Sequence, residues 1–499
     1  MSLTLNSSDG NQTRRAAAPP PKSRVSASKE AHVAFKSAEG IALRGPLCQM
    51  TRHAATFEIY SPKTILNNSE ALAEFSINFR GQVIYFGRAV IRSLVEAGGK
   101  VVCEVVLEEQ HWLDLDVEVV AQSSGRILEE FGKFLNEWQK SYIVTSEFKV
   151  AIADMQTFLH DLQLWLNQVE ISNQRNQVGW NDTFEKQTIN HLAKPIISAI
   201  DTLIDRFESI VTGLPKESHP TFQAYLRRQL HPYLMASPFA HRTFNKPLGY
   251  AGDYEMVDMM IRPPEEGAGL FSKLINVWLL SQTPAEAHRN RITYLERKLI
   301  EETLRAKAGG KRLQVFNLGC GPADEIHNFA KTRNLAQLVD FCLVDFNAET
   351  LNVLKSKLNA KNATGRPLSC RTLKKSVSQI IKDGGKSLYP PSSEKYGYIY
   401  CAGLFDYLTD SVCKQLMEVF YQMLAPGGLL LATNASDALN ASRPFRYSME
   451  YILDWYLIYR NAHQFKQVLP DNLPEDAAIV YADATGANLF LEVRKSKNV

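Results

Sequence analysis

Between Val33 and Leu115 apolar and polar residues alternate in short runs, ATFEIY, LAEFSINF, QVIYFGRAVIRSLV and KVVCEVVLEE, with Pro, Asn and Gly between them. A period of two over runs this short predicts half-buried strands, and Ala97-Gly98-Gly99-Lys100 between two β-branched runs reads as a hairpin turn. The expectation is a small antiparallel β barrel or sandwich. From residue 120 to 215 the period lengthens: Ile127, Phe131, Phe134, Leu135 and Trp138, then Ile152, Met155, Leu159, Leu162 and Leu166, then Ile189, Leu192, Ile196, Ile200, Leu203, Phe207, Ile210 and Leu214 recur in steps of three and four. These are long amphipathic helices, forming a bundle or a dimer seam, and Gly213 and Pro215 stop the last of them. After Ile275 strand and helix patterns alternate as in a parallel α/β sheet.

Length and composition then set the divisions. A chain of 499 residues suggests about three folded units. Residues 1–30 are rich in Ser, Ala, Pro and Arg and poor in large apolar side chains, so a flexible tail is expected there. The remaining units are a β domain over 31–118, a helical region over 119–235, a lid segment over 236–275 and an α/β domain over 276–499. Apolar content of 45% and charged content of 22% are those of a soluble globular protein, and a formal net charge of +3 with scattered cations points to neither nucleic acid nor an anionic membrane. Seven cysteines show no CxxC or Cys/His ligand spacing, which predicts reduced thiols and no metal. No apolar run is long enough to span a bilayer and no signal-peptide core opens the chain, so a cytoplasmic protein is expected.

The chemistry concentrates where the strand Leu313–Phe316 runs into Asn317-Leu318-Gly319-Cys320-Gly321-Pro322 and where a second strand, FCLVDFNAETL, reaches Asp345. Glycines at a strand end let backbone approach a ligand, and an acid at the next strand tip can accept both hydroxyls of a ribose. A phosphate-binding turn would read GxGxxG. Here the last glycine is missing, and Asp324 and Glu325 would repel a pyrophosphate. A ligand with a ribose and no phosphates fits better.

These residues resemble the class I S-adenosylmethionine-dependent methyltransferases, which implies a Rossmann-like sheet and S-adenosylmethionine as cofactor. The first motif of that family is carried by Asn317, Gly319, Cys320 and Gly321, the ribose acid by Asp345 and an adenine contact by Phe346. RTLKKSV ends a third strand where Lys375, Ser376 or Val377 would meet the adenine. YGYIYCAGLFDYL, LAPGGLLLATNAS and AAIVYADATGANLFLEVRK supply the fourth strand, the fifth strand and a closing pair.

His241 to Val257, HRTFNKPLGYAGDYEMV, has neither core periodicity nor linker composition and stands just before this core. It is read as a lid over the methionine end of the cofactor, with Tyr250, Asp253 and Tyr254 facing it, or as a capped turn leading into the helix from Tyr254 to Ile261. RPFRYSMEYILDWYLIYR offers a second wall, in which Arg443, Arg446 and Tyr447 would clamp an anionic group and Trp455 would line an apolar pocket, or else an ordinary amphipathic helix. Asp406 and Tyr407, in GLFDYL at the fourth-strand tip, would orient an acceptor or act as a base, His241 would do the same from the lid, and Tyr250 is expected to support turnover.

The N-terminal strands resemble the PilZ domain, a small barrel often used to bind cyclic di-GMP through an RxxxR and a D/NxSxxG segment. In RGPLCQMTRHAATFEIYSP, Arg44 and Arg52 are present and neither motif is intact, so the resemblance implies a degenerate domain docked on the rest of the chain. Jointly, KPLGYAGDYEMV, NLGCGPADE, YCAGLFDYL and MEYILDWYLIYR behind a PilZ-like domain resemble the bacterial 3-hydroxypalmitic acid methyl ester biosynthesis proteins. That resemblance implies O-methylation of a small carboxylic acid, a 3-hydroxy fatty acid, and a place in quorum-signal biosynthesis. Methylation of an amine or hydroxyl of another metabolite, or a cyclic di-GMP-linked regulator with a non-catalytic methyltransferase fold, stand as alternatives.

Overall fold

The computed structural model describes residues 31–60, 65–79, 82–97, 99–113, 144–175, 182–331, 333–361, 368–390, 395–437, 445–473 and 477–497. The expected tail over 1–30, the helical positions from Ile127 to Trp138 and Arg443 lie outside them.

Strands β1 (Ala31–Lys36), β2 (Ala42–Met50), β3 (Ala54–Ile59), β4 (Ala71–Phe79), β5 (Gln82–Ala97) and β6 (Lys100–Leu107) close into an antiparallel barrel in the order β1-β2-β3-β6-β5-β4. Their alternation places Phe35, Phe57 and Phe75 in the interior, with ring centroids 5.4 Å apart for the first two and 5.7 Å for the last two. β2 crosses β3 so closely at Gly45 that a Cβ there would stand 1.9 Å from the Glu58 carbonyl oxygen.

Helices α1 (Ser146–Arg175), α2 (Asp182–Thr212), α3 (His219–Leu234), α4 (Pro238–Asn245), α5 (Tyr254–Met259) and α6 (Leu270–Leu280) share one core built around Phe148, Phe207, Phe222 and Trp278. α2 ends at Thr212, just before the Gly213 and Pro215 stop signals. Among the described residues no helix is long and apolar enough to cross a membrane.

A seven-stranded mixed sheet follows: β7 (Leu313–Leu318), β8 (Val339–Asp345), β9 (Ser369–Lys374), β10 (Tyr396–Cys401), β11 (Leu424–Ala435), β12 (Ala478–Ala482) and β13 (Asn488–Arg494) stand in the order β12-β13-β11-β10-β7-β8-β9. β7 to β11 run parallel, and β13 is antiparallel to β11 and β12. Leu295 and Leu299 of α7 (Thr283–Ala308), with Ile326 of α8 (Asp324–Phe329) and Leu354 of α9 (Ala348–Lys361), cover one face. Ile380 of α10 (Val377–Asp383) and Leu416 and Phe420 of α11 (Asp410–Met423) cover the other. β7, β8, β10 and β11, largely buried, accordingly read as mostly apolar runs, while β9 at the sheet edge is partly exposed and more polar. The seven cysteines are all free thiols, and five are buried.

The barrel, the helical region and the sheet are joined at one buried carboxylate. Asp454 ends α12 (Arg446–Leu453) in a left-handed conformation, φ 52°, and is buried. It receives Arg227 from α3, Gln223 Nε2 at 3.3 Å and Arg88 of β5 at 3.4 Å. Arg88 also donates to the Phe244 carbonyl of α4 at 2.5 Å, and Lys246 Nζ donates to the Leu453 carbonyl at 3.1 Å. The guanidinium groups hold the Asp454 carboxyl well below the usual range against the burial that would raise it, while burial, reinforced by Arg88, lowers Lys246. Because removing one partner strands buried cations, Asp454→Asn should lower the unfolding free energy by about 3–5 kcal/mol in urea titrations. An unchanged midpoint would show that the carboxylate is not a structural node.

Candidate functional site

The chain leaves β7 toward β8 and β9 on one side and returns to β10 and β11 on the other, so the strand order reverses between β7 and β10. In open α/β sheets, ligands bind outside the carboxyl ends of the strands at such a reversal. A cavity of about 240 Å³ lies there, lined by Asn317 to Glu325 after β7, Asp345 and Phe346 after β8, Lys375 and Val377 after β9 and Ala402 to Leu404 after β10.

The sequence-expected cofactor residues converge on it. Gly321 adopts φ 52°, a left-handed conformation that keeps this turn open, and its N–H donates to Asp345 Oδ2 at 3.3 Å. Asp345 Oδ1 accepts the Asn347 N–H at 2.9 Å. Burial pushes the Asp345 carboxyl up to about 6 in spite of these backbone donors. Asn317, Gly319, Cys320 and Phe346 line the cavity, and Ser376 stands between two lining residues as the N-cap of α10.

The segment between α4 and α5 also reaches this end of the cavity. Tyr250 packs against Phe346 with ring centroids 4.9 Å apart, and burial together with the nearby Asp345 charge raises its phenol. Its contact is thus with the expected ribose and adenine residues rather than with the methionine end. Gly252 must lack a side chain, because a Cβ there would lie 2.9 Å from the Tyr407 phenol oxygen. Tyr254 lines the cavity and donates to Glu349 at 2.8 Å.

Asp406, Tyr407 and Trp455 meet at the β10 tip. Trp455 Nε1 donates to the Tyr407 hydroxyl at 2.9 Å, and Asp406 Oδ1 accepts the Ala435 N–H at 2.6 Å. Burial raises the Asp406 carboxyl to about 6, opposed by Arg291, the Ala435 N–H and Arg460, and burial also raises the Tyr407 phenol. Met256, Val257, Met260, Met449 and Leu457 add an apolar wall.

Several expectations are corrected. His241 is exposed and does not line the cavity. Asp253 does not face it either: it is buried as the N-cap of α5, accepting the Met256 N–H at 2.8 Å and pairing with Arg242 at 2.9 Å, so the capped-turn reading describes its role. Arg446 pairs with Glu450 at 2.8 Å and Tyr447 stacks on His219 with centroids 5.5 Å apart, which turns both away from the cavity into helix packing.

Other lining residues carried no sequence signal. Arg291 of α7 lies so close to the β10 tip that a Cβ on Gly403 would stand 3.0 Å from its guanidinium. It donates to His288 Nδ1 at 2.7 Å, which leaves the proton of the neutral ring on Nε2. Burial and the Arg291 charge hold this imidazole well below the usual range, so it stays neutral. His288 Nε2, Asn317 Oδ1, Asn488 Nδ2 and Asn68 Oδ1 are buried atoms of cavity-lining residues with no hydrogen-bond partner. Buried polar atoms are rarely left unpaired, and these four belong to residues lining one cavity, which suits hydrogen bonds to a ligand.

A scan against protein-family models finds no match, and a search of curated proteins finds none. Among solved structures the chain is similar to a possible exported protein from Bordetella parapertussis, at 16% identity and TM-score 0.41, covering 64% of this chain and 100% of that one. It is also similar to magnesium protoporphyrin IX methyltransferase from Synechocystis PCC 6803 with bound S-adenosylhomocysteine, at 10% identity and TM-score 0.31, covering 43% and 88%. N-methyltransferase NodS from Bradyrhizobium japonicum WM9 in complex with S-adenosylhomocysteine matches at 14% identity and TM-score 0.28, covering 48% and 97%. Likenesses this distant carry no argument about chemistry, which rests on the cavity itself.

If ionised Asp345 holds ribose hydroxyls, protonation competes with binding. With its carboxyl at about 6, the dissociation constant for S-adenosylhomocysteine should rise about tenfold between pH 7 and pH 5. Asp345→Asn should bind more weakly and lose that dependence, as isothermal titration at several pH values would show; an equal pH slope in the variant would remove Asp345 from the site.

Proposed function

We propose that this chain is an S-adenosylmethionine-dependent methyltransferase that esterifies the carboxylate of a small acid, a 3-hydroxy fatty acid or a similar compound. The observation that carries the enzyme reading is Asp345 at the tip of β8, bonded to the glycine turn and lining, at the reversal of strand order, a cavity whose other lining residues include unpaired polar atoms. The residues fit a ribose-bearing ligand without phosphates: the carboxylate suits two hydroxyls, and the acids Asp324 and Glu325 beside the turn disfavour a pyrophosphate. Asp345 would hold the ribose, Phe346 and Lys375 to Val377 the adenine, and Arg291 with the His288 Nε2–H the amino-acid carboxylate. The cofactor supplies an electrophilic methyl group.

What remains for the chain is orientation and exclusion of water. Of the titratable groups at the acceptor end, His288 offers a proton rather than a lone pair and Tyr407 is a buried phenol held by Trp455, whereas Asp406, raised to about 6, has one oxygen on the Ala435 N–H. An alcohol or amine needs a proton removed, whereas a carboxylate is already a nucleophile at neutral pH. The apolar wall of Met256, Met260, Met449 and Trp455 suits a hydrocarbon body, and the lid and barrel shield the reacting atoms from water.

In the same reading, the barrel is a degenerate PilZ-like domain that serves as a docked wall, and the unit boundaries at 31–118, 119–235, 236–275 and 276–499 separate wall, support, lid and catalytic sheet. Incubating the full chain with methyl-labelled S-adenosylmethionine and either 3-hydroxy fatty acids, alkylamines or phenols should give labelled, base-labile ester with the acids alone. Label appearing only in amines or phenols would overturn the carboxylate assignment and leave the methyltransferase assignment standing.

A further inference from the structure

The barrel enters the cavity itself. Ile65, Asn67, Asn68 and Glu70 from the approach to β4, together with Ala38 and Glu39 from the turn after β1, form part of its lining. This segment is fastened to each surrounding wall in turn. The Asn68 N–H donates to the Tyr407 carbonyl at 3.3 Å and the Ala71 N–H to the lid's Gly249 carbonyl at 2.8 Å. Between them Ser69 Oγ donates to the Tyr456 carbonyl at 2.8 Å and accepts the Tyr456 N–H.

The segment is also rigid within the barrel. Glu70 is buried and accepts the Ala38 N–H at 2.6 Å and the Asn67 N–H at 3.0 Å, coupling the two barrel turns. Ser69 sits at φ 61°, and a non-glycine residue persists in that left-handed region where its surroundings over-determine it, commonly near functional sites. In this frame Asn68 has its backbone committed to Tyr407, while its side-chain Oδ1 is buried with no partner. A buried carbonyl oxygen left unsatisfied is costly, and a donor on a ligand would relieve that cost.

We propose that Asn68 is a substrate-binding residue supplied to the active site by the barrel. Its Oδ1 accepts a hydrogen bond from a hydroxyl carried by the acceptor near the end to be methylated, so the cavity selects a hydroxy acid over the same acid without the hydroxyl. The inference rests on reading the cavity as an acid-methylating site and adds the residue that would read the hydroxyl. The bond from the Asn68 N–H to the Tyr407 carbonyl places this contact beside the segment that follows β10.

The test is isothermal titration of the full chain, saturated with S-adenosylhomocysteine, with 3-hydroxydecanoate and with decanoate. The unsubstituted protein should hold the hydroxy acid about tenfold more tightly, the worth of one hydrogen bond. Asn68→Ala should equalise the two acids while leaving S-adenosylhomocysteine affinity unchanged. Asn68→Asp, which keeps an acceptor oxygen, should retain the preference and covers the case in which the alanine variant does not fold. Equal affinities in the unsubstituted protein, a preference surviving in Asn68→Ala, or loss of S-adenosylhomocysteine affinity alone would each overturn the assignment of Asn68. If neither acid binds while S-adenosylhomocysteine does, the acid-methylating reading fails and takes this proposal with it.

Discussion

Asp454 is the point on which the other parts of the molecule converge. It is buried at the end of α12 and draws Arg88 from the barrel and Gln223 and Arg227 from the helical region. Arg88 and Lys246 then tie α4 and its exit to the same node through the Phe244 and Leu453 carbonyls. A carboxylate and several cations so far from water tolerate little displacement, since each must satisfy the others. The residues next in sequence inherit that rigidity: Trp455 and Leu457 form one wall of the cavity, and the lid from Gly249 to Tyr254 follows directly from Lys246. The node therefore fixes the position of cavity walls that the sheet alone would not hold.

The sheet contributes the reversal between β7 and β10, where backbone and strand-tip side chains line the cavity from both sides. Burial there moves acids upward, Asp345 and Asp406 to about 6 and Glu325 to about 7. Such carboxyls respond to what else enters the site, because a hydrogen-bond donor from a ligand replaces the hydration they have lost. The barrel completes the enclosure through Asn68, Ser69 and Ala71, whose bonds go to the β10 tip, the segment after α12 and the lid. Chemistry at the sheet edge and shape from the barrel thus meet in one cavity.

How much of this was legible in the sequence depended on whether a feature is local. The barrel strands, the stop after α2 and the placement of Asn317 to Gly321 and Asp345 follow from periodicities and turns contained within a few consecutive residues. Arg291 and His288 were not legible, because PAEAHRNRITYLERK reads as an ordinary charged helix and nothing in it tells which turn faces a strand tip. Asn68 stands in NNSE, indistinguishable from a surface turn until the barrel docks. The opposite error befell Arg446 and Tyr447: their types suit an anion clamp, yet Glu450 one helical turn away and the ring of His219 offer them partners at closer hand. Asp253 was likewise taken up by the N-cap of α5, a demand of the backbone that precedes any ligand.

The most direct test of the central claim, that one cavity walled by sheet, lid and barrel binds the cofactor for methyl transfer, is a crystal structure of the full chain with S-adenosylhomocysteine. The account predicts the ribose on the Asp345 carboxylate, the adenine beside Phe346 and the sulfur opening toward Tyr407 and Trp455 beneath the barrel segment that carries Asn68. A ligand bound away from Asp345, or seated on the barrel alone, would contradict it.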